Sequence, residues 1–411
     1  MTSLVEINAQ RLLSRIEQLG QIGGLEGGGV NRLALTDSDG QGRDQVVEWM
    51  RELKLAVTID EIGNVVGRRS GREPGPPVMT GSHIDTVATG GLYDGNLGVL
   101  AGLEIVQSLN EASIETRFPL AVAFFTNEEG ARFSPDMMGS AVHQGSLPLK
   151  AALATTDKEG LSVESELARL GYLGRTPVNS LRPRAFLELH VEQGPVLEQR
   201  DVDIGAVTGV QGISWTEYRI QGTSNHAGTT PMNLRHDAGY AAAAIAVEAR
   251  ALASRMGGSQ VATTGVISLS PNLINVIARE ATMTVDLRNT DETLLCEAEA
   301  HMHQFVTKLA RQEGLQIDSQ VLARFAPVSF NATLVDAVED TARTRGHSVM
   351  RLPSGAGHDA QMFAPNCPTA MVFVPSIGGI SHNVRERTEP RHIAAGAQVL
   401  ADVTVKLASG G

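Results

Sequence analysis

An α/β fold, built on a largely parallel sheet and interrupted by a smaller inserted module, is what this sequence predicts. Three observations carry the expectation. Continuous apolar segments such as "PVMTGS" and "FPLAVAFFTN" alternate with helical patterns such as "NLGVLAGLEIVQSL", the texture of strands buried on both faces by helices. After about residue 210 the pattern changes to strands of alternating polarity around two long helices, and from about residue 328 the first texture returns. The 411 residues also exceed the roughly 250–300 at which single cores stop growing.

The elements follow in order. "MTSLVEINAQRLLSRIEQLG" and "DQVVEWMREL" have amphipathic helical spacing, "AVTIDEIGNVVGRR" reads as a strand pair, and "GREPGPP" is a turn by its proline and glycine content. The strand "PVMTGS", the helix "NLGVLAGLEIVQSL" and the strand "FPLAVAFFTN" come next. "ISWTEYRIQG" then alternates like a half-exposed strand, and "RHDAGYAAAAIAVEARALASRM" is a long helix. "VATTGVISLS" and "EATMTVDLRN" are strands, "DETLLCEAEAHMHQFVTKLARQEG" a second helix and "LQIDSQVLARF" a last strand. Four strands and two helices in β-α-β-β-α-β order form a ferredoxin-like module. The helix "ATLVDAVEDTARTRG", the strand "PTAMVFVP" and the helix "RHIAAGAQVLADVTVKLA" complete the outer domain. The expected division is residues 1–210 with 328–411, interrupted by 211–327.

Composition narrows the function classes. Hydrophobic residues make up 42%, enough for sizeable cores, and the net charge of −12 argues against a nucleic-acid-binding surface. No apolar run reaches the roughly 18 residues of a membrane span. The N-terminal segment lacks the basic-then-apolar order of a secretory signal. Only Cys296 and Cys367 are present, too few for a disulfide framework and consistent with a reducing compartment. A cytoplasmic enzyme without nucleic-acid or membrane partners is the expectation.

In sheets of this kind ligands gather at the carboxyl ends of the strands, where "TGSHID" and "FFTNEEG" place their polar residues. His83, Asp94, Glu129, His190 and His382 are candidate metal ligands, since imidazole with carboxylate suits zinc or a similar divalent ion. Asp94 could bridge two ions about 3.5–4 Å apart. Residues i and i+2 of a strand share a face, so Asp85 is expected to accept the second imidazole N–H of His83. Taken alone, H-I-D is an ordinary strand-end histidine beside a solvated aspartate, and the two glutamates of "TNEEG" alone are solvated loop residues. With metals present, one of those glutamates ligates while the other takes a proton from water. "FLELHVEQGPVLE" places His190 at another strand end, and "GGISHNVRERTEP" places His382 after glycines that let backbone approach an ion. His143, His236, His347 and His392 lack matching acids and read as surface residues; His301 and His303 do not share a helix face. His226 and His358 sit in glycine-flanked loops. There is no G-x-S-x-G elbow and no P-loop lysine.

Taken together, "GSHIDTVATGGLYDGNLGVLAG", "FTNEEGARF", "LELHVEQGPVLE", "GTSNHAGTTPM", "PSGAGHDAQ" and "GISHNVRERTEP" resemble, block by block and in order, the amidase/hydantoinase/carbamoylase branch of the two-metal aminoacylase and carboxypeptidase superfamily. The resemblance implies two divalent ions (Zn, Mn, Co or Ni) on His83, Asp94, Glu129, His190 and His382, with Asp94 bridging. It implies Glu128 as general base and Asp85 as orienter of a ligand. His226 and Asn275 would act near the scissile group, contributed by a partner subunit, and Arg288 would clamp the substrate carboxylate, as a guanidinium fork suits. Gln193 and His358 would line the pocket. The inserted module would be the lid and dimerisation domain of a homodimer. The peptidase branch usually has aspartate where His190 stands, whereas the carbamoylase branch has histidine followed by E-Q-G-P, which favours ureido-type substrates. An N-carbamoyl-L-amino acid hydrolase is the leading expectation, with allantoate amidohydrolase or a ureidopropionase as rivals, and a catalytically silent binding module on the same fold as the alternative from another class.

Overall fold

The computed structural model describes residues 5–410. The chain forms two compact units, one made of the chain up to Thr208 and from Ser329 onward, the other of Gly209–Val328.

In the first unit, strands Ala56–Ile59, Val65–Arg69, Leu120–Phe125, Val78–His83, Ala185–Val191, Thr369–Val374 and Ile204–Val210 lie side by side in that order. The central four, from Leu120–Phe125 to Thr369–Val374, are parallel. The flanks are antiparallel. For the pair Ala56–Ile59 and Val65–Arg69 this follows from chain length, because the few residues between Ile59 and Val65 suffice for a hairpin but not for a crossover. All residues of Val78–His83, Leu120–Phe125, Ala185–Val191 and Thr369–Val374 are buried, so a polar side chain reaches solvent only at the strand ends. The helix Asn96–Glu111 buries most of its surface against the strands Val78–His83, Leu120–Phe125 and Ala185–Val191 and the helices Ala9–Gln21 and Pro390–Ser409. Its approach is close at Gly98, where a Cβ would stand 2.6 Å from the Leu189 carbonyl oxygen. The amphipathic N-terminal pattern becomes the helix Ala9–Gln21, capped by the Asn8 side chain; residues 1–4 of that segment lie outside the described range.

In the second unit the sheet order is Gln316–Phe325, Gly212–Gln221, Glu280–Asn289 and then Val261–Thr263, with Ile267–Ser270 also on Glu280–Asn289. The pairings are antiparallel. "VATTGVISLS" is thus two short strands rather than one, interrupted around Gly265. One sheet face is apolar: Met283, Val285 and Leu287 pack with residues of the helices Ala238–Met256 and Glu292–Glu313 such as Ile245, Ala249, Leu295 and Met302.

Candidate metal centre

The strand Val78–His83 ends at His83, and the chain then turns. Asp94 follows eleven residues later, and Gly95, at φ +66°, starts the helix Asn96–Glu111. A side chain at Gly95 would press into the His83 ring at 2.5 Å, so glycine is what lets the Asp94 loop close over the imidazole. His190 lies one residue before the end of its strand, and Glu128 and Glu129 lie just past the strand Leu120–Phe125. Asn127, Gln193 and His382 are non-glycine residues with left-handed φ of 55°, 58° and 51°, a conformation that costs energy and clusters where side chains are aimed at a site.

Asp94 is the hub. Its Oδ1 lies 3.4 Å from His83 Nε2 and 3.2 Å from His190 Nε2. Its Oδ2 lies 3.4 Å from His382 Nε2, which is 3.3 Å from Glu129 Oε2. The result is two neighbouring donor groups, His83–Asp94–His190 and Asp94–Glu129–His382, whose ligand atoms within each group lie within 4.8 Å of one another. The first is buried throughout, whereas His382 keeps half its side chain exposed. Glu128 Oε2 stands 3.3 Å from His83 Nε2. Gln193 Nε2 donates to Asp94 Oδ2 at 2.8 Å. His358 is buried with its ring 4.5 Å from that of His190. These residues line one cavity of about 100 Å³ together with Asp136, Ala356 and Gly357.

The imidazoles are oriented from behind. His83 Nδ1 donates to the Asp85 carbonyl at 2.9 Å and His190 Nδ1 to the Val191 carbonyl at 2.9 Å, so each turns its Nε2 toward Asp94. This corrects the expectation for Asp85: its carboxylate stays 4.0 Å from His83 and instead accepts the backbone N–H groups of Glu128 and Glu129, both at 3.3 Å. The face-sharing rule fails here because the strand ends at His83. Asp85 acts on the glutamates and, through its carbonyl, on the histidine.

The electrostatics fit a cation. Burial opposes charge on His83, yet the carboxylates of Glu128, Asp94 and Asp85 outweigh it and hold the imidazole well above its ordinary value. Burial would raise Asp94, but hydrogen bonds with His190, His382 and His83 hold it well below the usual carboxylate range. His382, bonded to Asp94 and Glu129, is pushed up to about 10. The acids therefore recruit positive charge, and three imidazoles with carboxylates in two groups sharing Asp94 are the ligand chemistry of divalent transition ions. Burial first, then Asp359, Glu129 and Asp85, push Glu128 well up, with His83 opposing; a raised carboxylate is a stronger base.

His226, Asn275 and Arg288 lie in the second unit. The Ala227 N–H donates to the Asn275 carbonyl and the Ile277 N–H to the Asn225 carbonyl, both at 2.9 Å, which ties the His226 and Asn275 loops together. His226 is exposed, and its Nδ1 accepts from the Gly228 and Thr229 N–H groups at 3.0 and 3.3 Å, leaving Nε2 as an N–H donor. Arg288 lies on the sheet face opposite the apolar core, its Nη2 2.9 Å from Asp286 Oδ2.

Some residues escaped the sequence reading. Glu188, two before His190, is buried and accepts from Ser82 Oγ at 2.6 Å and the Ala360 N–H at 2.8 Å. Glu386, four after His382, accepts the backbone N–H groups of Tyr93 and Asp94. Their acidity beside a candidate ligand was the available signal. His143, expected at the surface, is buried: its Nε2 lies 3.0 Å from the Leu181 carbonyl oxygen and its ring 5.7 Å from that of Phe363.

Known proteins are similar to this chain over nearly its whole length. A profile of peptidase family M20/M25/M40 matches residues 79–406. The N-carbamoyl-L-amino-acid amidohydrolase of Rhizobium meliloti is 40% identical over 403 residues, covering 98% of this chain and 97% of that protein. The allantoate amidohydrolase of Bacillus subtilis is 34% identical, covering 96% of each. The crystal structure of an amidase of the hydantoinase/carbamoylase family from Burkholderia multivorans superposes with a TM-score of 0.96 at 40% identity, covering 98% of this chain and 99% of that one. With its two donor groups joined at Asp94 and these relatives along its length, the chain belongs to peptidase family M20/M25/M40.

Proposed function

We propose that the protein is a two-metal amidohydrolase that cleaves the carbamoyl C–N bond of N-carbamoyl-L-amino acids, releasing the amino acid, carbon dioxide and ammonia. The single observation that carries the reading is the pair of donor groups sharing Asp94, with Glu128 on the same cavity. His190 followed by "VEQGP" and the carbamoyl-amino-acid hydrolase among the relatives support the ureido substrate class. The allantoate amidohydrolase relative supports allantoate as the second reading.

His83 and His190 would hold one divalent ion and Glu129 and His382 the other, with Asp94 between them. When bound, such ions supply a water acidified toward a pKa of about 7 and a polarised carbonyl. Glu128 takes the proton from the attacking water and returns it to the leaving nitrogen. Its neighbour His83 and the Asp85 grip on its backbone hold the carboxylate on the cavity. Gln193 and His358 line that cavity and bond the carbamoyl group or carboxylate. In the second unit, Arg288 is assigned to the substrate carboxylate and His226 and Asn275 to the scissile group, His226 with its Nε2–H as donor to the developing oxyanion. A homodimer in the cytoplasm completes the proposal.

The test is a panel of N-carbamoyl-L-amino acids, allantoate, 3-ureidopropionate and dipeptides, with zinc, manganese, cobalt or nickel added to chelator-treated protein. The expected result is metal-dependent ammonia release, fastest from a carbamoyl amino acid. Fastest turnover of allantoate would select the second reading, and dipeptide cleavage alone or metal-independent activity would sink both.

A further inference from the structure

Between the bridging aspartate and the most exposed ligand lies a carboxylate that the proposed chemistry does not use. Glu386 is 5% exposed. One of its oxygens accepts the N–H groups of Tyr93 and Asp94, each at 3.1 Å and across 293 and 292 residues of sequence. Its other oxygen lies 3.1 Å from Ser381 Oγ, which is also 3.3 Å from Asp94 Oδ2. Ser381 immediately precedes His382. The chain makes room for this arrangement at Gly91, where a Cβ would stand 2.3 Å from Glu386 Oε1. A buried acid beside Asp94 costs electrostatic repulsion, so packing alone does not account for an acid here; its hydrogen bonds to two ligand loops do.

The two donor groups differ in how they are braced. His83 and His190 ride on buried central strands. The Gly95 N–H lies 3.1 Å from His190 Nε2, and the fully buried Arg32 reaches both the Ile84 carbonyl and Asn96 Oδ1. His382 sits in a loop closed by the Ile377 N–H on the Arg387 carbonyl; its ring approaches Asp94 directly and through Gln193, while the loop that carries it is tied to Asp94 through Ser381 and Glu386.

We infer that Glu386, acting with Ser381, is a positioning residue that fixes the His382 loop to the bridging ligand Asp94 and thereby shapes the more exposed of the two cation sites. The inference rests on the two-metal reading. Groups behind a metal ligand typically contribute about 10- to 100-fold in metal affinity, and here that contribution falls on one site of two.

The experiment is calorimetric titration of zinc into chelator-stripped protein, with bound zinc counted by mass spectrometry and folding checked by circular dichroism. The parent chain is expected to bind two ions of unequal affinity. Glu386→Ala should weaken the second by about 10- to 100-fold and leave the tighter one unchanged. Glu386→Gln, whose carbonyl accepts the same N–H groups, should restore the second site, and Ser381→Ala should weaken it less than Glu386→Ala does. A folded Glu386→Ala protein with parental affinity at both sites, or with both weakened equally, overturns the inference and leaves the metal reading standing. If Glu386→Ala does not fold, Ser381→Ala decides: an unchanged second affinity overturns the inference. A parent chain that takes up fewer than two ions removes the metal reading and this inference together.

Discussion

The two units solve the placing of polar groups in opposite ways. In the first, the four central strands are buried along their whole length, so the candidate ligands lie at one rim and converge because the strands run parallel. In the second, strands alternate, with Met283, Val285 and Leu287 inward and Thr284, Asp286 and Arg288 on the other face. A doubly covered parallel sheet concentrates chemistry at a point, whereas a singly covered antiparallel sheet spreads functional side chains along a surface.

That contrast predicts a hierarchy of effects. Replacing the hub should be the most damaging: Asp94→Ala is expected to lose both ions and all turnover while circular dichroism stays parental, and an Asp94→Ala protein still carrying two ions by metal analysis would break the shared-ligand geometry. Next is Glu128→Gln, expected to lower kcat by about 10³-fold, within the range for general base catalysis, with metal content unchanged; near-native turnover with metals bound would exclude Glu128 as the base. Arg288→Ala lies on the other unit and should leave metal content alone, while kcat/KM for carboxylate substrates falls by about 10²-fold, on the order of 3 kcal/mol for an unpaired charge. An equal loss on amide-capped substrates would remove the carboxylate clamp. The smallest effect is structural: Ile220→Val, in the second unit's core at 1% exposure, should cost about 1 kcal/mol in urea unfolding and leave zinc affinity unaltered. A change in zinc affinity would show that the two regions are not separable.

Much of the rim was legible beforehand because the signal is local. An apolar run ending in H-x-D, another ending in N-E-E, and a third ending in H-x-E-Q each announce a strand end carrying candidate ligands. The Asp85 carboxylate was misread because a period-two argument assumes extended backbone, and the chain turns directly after His83. Glu188 and Ser82 hydrogen-bond across 106 residues of sequence, and Glu386 reaches Tyr93 and Asp94 across nearly three hundred; no spacing rule reports pairs of that kind. His143 lacked a partnering motif and was read as exposed, yet Phe125 and Phe363 flank its ring, a neighbourhood that only the folded chain assembles.

By itself the sequence determined the buried central strands, the long helices flanking them, the change of texture near residue 210 and the residue types available for metal chemistry, because apolar period and side-chain pKa are properties of short segments; the inserted unit has five strands where four were expected. Only the tertiary structure decided which oxygen of Asp94 faces which imidazole, which groups stand behind each candidate ligand, and how unequally the two donor groups are buried. Those outcomes depend on contacts between segments far apart in the chain, which the burial of the central sheet and the hydrogen-bonding needs of buried polar groups bring together.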